Sequence, residues 1–136
     1  MRKTVPLILI MLIFAGCATF TKPFKTANTP QQKAYALYGT FVEIEEQVAD
    51  IVTTQEIDEE VLEAIKHADL AAKITFDMML ESAKTLTAHQ QEFLIDDGVL
   101  DEEELAEIQK RRQELVLLID KGKVAMLRLA ELVEVL

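Results

Sequence analysis

Five carboxylates crowd the eight residues Asp97-Gly98-Val99-Leu100-Asp101-Glu102-Glu103-Glu104, a density that suits a divalent cation. With Gly98 at the sixth position of a calcium loop, Asp97 takes the fifth, Asp101 the ninth and Glu104 the twelfth. The first and third positions then fall on Phe93 and Ile95, which offer no side-chain oxygen. Calcium takes about six to eight oxygen ligands, early carboxylates included. Half a loop leaves helix capping as the expected task of Asp101 and Glu104, with Asp97, Asp101 and Glu104 the weak metal candidates. His67 and His89 have no His or Cys partner at ligand spacing. His67 falls one residue off an apolar stripe, as a surface or boundary imidazole, and His89 falls in a connection, so neither is expected to do acid–base or metal work. No catalytic constellation and no glycine-rich phosphate loop is present, so neither an enzyme nor a cofactor is expected.

Cys17 is the single cysteine of 136 residues. One thiol makes no disulfide framework and no cysteine-based zinc site. Before it, Arg2 and Lys3 precede an apolar run from Val5 to Phe14 that is broken by Pro6. About ten apolar residues fall short of the roughly 20 that cross a bilayer as a helix. A basic start, a short apolar run and small residues mark a secretory signal. Phe14-Ala15-Gly16-Cys17 resembles the lipobox of bacterial lipoproteins, with phenylalanine where leucine is usual. The resemblance implies removal of residues 1–16, lipid on Cys17, and, from Ala18 after the cysteine, an outer-membrane protein facing the periplasm.

Charge agrees with attachment by lipid. The chain has 24 acidic and 14 basic side chains, a net charge of −10. Loss of residues 1–16 removes two bases, Arg2 and Lys3, and no acid, so the mature charge is −12. Phosphate recognition needs a basic surface, which argues against nucleic-acid binding. Anionic head groups would likewise repel this body, so a membrane is reached through the lipid.

The rest of the chain must position whatever these residues do. Residues 17–29 read as the lipidated cysteine and a tether, and residues 30–136 as one all-α domain, an up-down-up three-helix bundle. Thr29, Pro30 and Gln32 make a helix start with a capping box. Ala34, Leu37, Phe41, Ile44, Val48 and Ile51 follow at alternating steps of three and four. Asp58 and Asp101 open the second and third helices, each between apolar residues five apart and ahead of further acids. The second helix carries Val61, Ile65, Ala68, Ala72, Phe76, Met79, Ala83 and Leu86. The third carries Leu105, Ile108, Leu115, Leu118, Ala125, Leu129, Leu132 and Leu136, with Gly122 on the stripe. Residues 88–98 hold either a short extra helix or an extension of the second helix to about Ile95, with Gly98 as its end. Glu107 and Arg111 form an i,i+4 pair on the charged face. At the C-terminus, apolar residues exceed one stripe, and Leu127, Val133 and Val135 are candidates for self-association or a partner surface.

Gln32-Lys33-Ala34-Tyr35-Ala36-Leu37-Tyr38-Gly39-Thr40, with Ala68-Asp69-Leu70-Ala71-Ala72 further on, resembles a loosely defined group of small lipoproteins of proteobacteria and their phages or prophages. The likeness spans roughly residues 15–85 and brings no known activity. Tyr35 and Tyr38 flank the helix seam with their hydroxyls in reach of solvent. Gly39 in mid-helix costs about 1 kcal/mol relative to alanine, for which close helix contact is the expected reason. The function expected is that of a lipid-anchored envelope protein acting by protein–protein contact, with exclusion or lysis accessory roles in keeping with a phage origin. A periplasmic lipoprotein binding a small ligand or divalent metal around residues 96–104 is the alternative.

Overall fold

In the computed structural model, residues 26–96, 99–134 and 136 are described; Cys17, the tether up to Lys25, Asp97, Gly98 and Val135 lie outside them. Three helices account for nearly all of that chain: α1 (Pro30–Thr54), α2 (Glu59–Asp96) and α3 (Glu102–Glu134). Each begins where its capping residues require. The Thr29 hydroxyl accepts from Gln32 N at 3.2 Å, and the Gln32 side chain accepts from the backbone N–H groups of Asn28 and Thr29. Asp58 Oδ1 accepts from Glu60 N at 3.0 Å. The first helix ends at Thr54, where Gln55 turns extended and donates its N–H to the Ile51 carbonyl.

The helices pack up-down-up into an all-α bundle. Gln31 near the start of α1 bonds Gln90 near the end of α2, and Phe41 in mid-α1 stacks on Phe76. Glu45, further along α1, meets Lys73, earlier in α2. Partners that descend along α2 as α1 ascends make the pair antiparallel. At the centre of the bundle, Leu37 of α1, Phe76 of α2 and Gly122 of α3 meet. A Cβ there would stand 3.3 Å from Leu37 Cδ2 and 3.5 Å from two Phe76 ring carbons.

Burial follows the stripes of α1 and α2 closely. Ala34, Leu37, Phe41, Val48 and Ile51 are buried from α1, and Ile65, Ala72, Phe76, Met79, Ala83 and Leu86 from α2. The third helix differs. Its buried seam runs Ile108, Leu115, Ile119, Gly122, Met126, Leu129 and Val133, whereas Leu105 and Leu136 are exposed and Leu118, Ala125 and Leu132 only border the core. Steps of 4, 3, 4, 3 and 4 from Leu115 to Val133 are the bundle seam; the neighbouring leucines form a second stripe of similar hydropathy. Val133 is therefore core, leaving Leu127 as the exposed one of that C-terminal set within the described residues.

Of the two alternatives for residues 88–98 the extension is the one observed: helix α2 runs unbroken to Asp96 and no separate short helix forms. His89, expected in a connection, is helical, with its ring tilted 5.8 Å from that of Phe93 one turn later. Nothing lies within 4 Å of a Cβ placed on Gly39, so close helix contact does not explain it. With the space open and the backbone helical, Gly39→Ala should raise stability by about 1 kcal/mol, read as a higher urea midpoint.

Candidate functional site

The acidic stretch proves to be a helix start. Asp101 Oδ1 accepts from Glu104 N at 2.8 Å, and Glu104 Oε2 accepts from Asp101 N at 2.9 Å. These reciprocal bonds satisfy donors that have no partner within the helix. Asp101 and Glu104 are thus committed to each other across one turn, and Asp97 lies outside the described residues. Among the described residues no group of three or more His, Cys, Asp or Glu is placed to hold a metal ion. Asp101→Ala should cost about 1 kcal/mol in urea unfolding, and Asp101→Asn distinctly less because the capping bond survives. An unmoved midpoint in both variants would show that the cap contributes nothing.

A different site emerges from small residues. Ala64, Ala68 and Ala71 of α2 and Ala125 of α3 leave a furrow between the two helices, with a volume of about 650 Å³. Leu117, Val124 and Leu132 form its far wall, and His67, Asp120, Lys121 and Arg128 stand along the rim. Seven residues are close to two helical turns, so Met78 continues the face of Ala71, and Leu117 shares a face with Val124. Beside the furrow, Leu70, Ile74 and Met78 recur every four residues along the outer side of α2. Leu70, Ile74, Met78, Leu117 and Val124 are each more than half exposed. Single exposed apolar side chains are ordinary; here five of them lie on the neighbouring outer sides of α2 and α3.

The polar groups elsewhere are structural. Lys73 Nζ donates to Asp69 Oδ2 at 2.7 Å and lies 3.0 Å from Glu45 Oε1, tying α2 to α1. The hydrogen bonds that Lys73 donates to Asp69 and then Glu45 push its ammonium above its ordinary pKa. Arg111 Nε sits 2.8 Å from Glu107 Oε1, the expected i,i+4 pair, with its N–H not aimed at that oxygen. Exposed pairs of this kind contribute about 0–1 kcal/mol each.

His67 is exposed, as its position beside the stripe implies, but the furrow it borders was not foreseen. The signal was present: alanines at 64, 68 and 71 beside the seam, and Leu70, Ile74, Met78, Leu117 and Val124 off it. Among the described residues, no helix is long and apolar enough to cross a membrane. No protein-family model, curated protein or solved structure matches the chain.

Proposed function

We propose that this chain is a lipid-anchored envelope protein whose helical bundle works by binding protein through the outer face of α2 and α3. The observation that supports this most strongly is the exposed apolar set around the alanine-floored furrow. Side chains that the bundle itself does not bury are available to another surface, and the charged rim gives that surface orientation. The basic start, short apolar run and Phe14-Ala15-Gly16-Cys17 supply the anchor, with the outer membrane and the periplasm as the location in this reading. A mature charge of −12 keeps the body off anionic lipid and leaves the apolar face directed to protein.

The test is photocrosslinking in cells making the full chain, with a photoreactive amino acid at Val124 or, as control, at the exposed Gln47 of α1. Protein adducts from position 124 and none from 47 are expected. Equal labelling from both positions, or no protein adduct from 124, would remove the docking face. The furrow is also within the size range of small-ligand sites, roughly 300–1,000 Å³, which supports a second reading as an apolar-ligand carrier. An extractable small molecule that blocks labelling at Val124 would favour that reading.

A further inference from the structure

We infer that the occupant of this face is a second copy of the chain, paired antiparallel through α3; the inference rests on the docking reading above. Lys110, Leu117, Val124 and Glu131 follow one another at steps of seven on the outer side of α3, and all four are exposed. The same is true of Asp120 and Lys121 between them. A two-fold axis between Asp120 and Lys121 sets Leu117 against Val124 of the partner copy, Asp120 against its Lys121, and Lys110 against its Glu131. Symmetry makes each of these contacts twice. The face is therefore complementary to itself at Lys110 and Glu131, Asp120 and Lys121, and Leu117 and Val124, over a helix contact about 30 Å long. Glu114 against Leu127 is the one mismatch.

Other occupants fit less well. A parallel copy would set Lys110 on Lys110 and Glu131 on Glu131. An acidic helix would match Lys121 and Arg128 while confronting Asp120 and Glu131. An anionic lipid surface would meet those same two carboxylates. In the antiparallel pair, Leu117 of the partner copy comes opposite Val124, which lines the furrow together with the small residues Ala71 and Ala125. Asp120 pairs with Lys123 of its own helix at 3.2 Å but keeps about two thirds of its side chain exposed for a second cation. The arrangement also suits two anchors. The α1 starts of the two copies lie at opposite ends of the pair, and each tether of twelve residues, Ala18–Thr29, reaches at most about 40 Å, so both lipids reach one membrane when the pair lies along it.

The experiment uses two differently tagged full-length copies co-expressed and extracted from membranes in mild detergent, with mutual recovery as the readout. Wild-type copies should recover each other. Lys110→Glu replaces two attractions by two repulsions and should weaken self-pairing by about tenfold. Glu131→Lys should do the same. A Lys110→Glu copy co-expressed with a Glu131→Lys copy restores every contact and should recover its partner as wild type does. Recovery that is equal in all four combinations would overturn this pairing. Absence of wild-type recovery, with Val124 crosslinked to a different protein, would overturn self-pairing and leave the docking face standing. Absence of both would remove the two together.

Discussion

Phe76→Ala should lower the stability of the bundle by about 3–5 kcal/mol, the largest loss expected from any single truncation in it. The ring is fully buried and stacks on Phe41 with centroids 4.3 Å apart and planes 11° apart. Its edge meets the bare backbone of Gly122, and Tyr38 leans on it at 6.2 Å. Truncation removes contacts to both other helices at once and leaves a cavity between them. Domains of this size are stable by only about 5–15 kcal/mol, so the melting temperature should fall by more than about 12 °C. Leu70→Ala, on the exposed side of the same helix, should stay within about 0.5 kcal/mol of wild type. A loss below about 1 kcal/mol for Phe76→Ala would mean that the aromatic stack is not the centre of the fold.

On the lipoprotein reading proposed above, Cys17→Ser should leave the chain unprocessed or unacylated, because a serine hydroxyl does not replace the thiol on which the lipid would be built. Among the described residues no helix offers a second route, since none is long and apolar enough to span a bilayer. Normal maturation with palmitate incorporation in that variant would refute the anchor.

Sequence periodicity carried the fold where one stripe per helix was unambiguous. In α1 and α2 the stripe positions are the buried ones, apart from Ile44, Val61 and Ala68, which border the core. The caps were equally legible, because Thr29, Asp58 and Asp101 act on backbone groups two or three residues away and need no tertiary information. Helix α3 was misread for a physical reason. Leu118, Ala125 and Leu132 lie one residue away from Ile119, Met126 and Val133, and hydropathy alone does not rank two adjacent stripes. The stripe that turns inward holds Gly122, packed against Leu37 and Phe76. The furrow stayed hidden for a related reason. Periodicity separated Ala72, buried, from Ala71, exposed, but an alanine off the stripe does not announce a furrow until α3 is placed beside α2.

The docking face is tested most directly by placing charge on it while leaving the core alone. In full-length chain with a photoreactive residue at Ala71 on the furrow floor, the pair Leu117→Glu and Val124→Glu should eliminate the protein adducts formed in its absence. Both positions are well exposed, so the urea midpoint should move by no more than about 0.5 kcal/mol per substitution. Adducts that persist at the wild-type level, or a bundle that loses several kcal/mol, would contradict a binding role for this face; lost adducts on an intact bundle are the expected result.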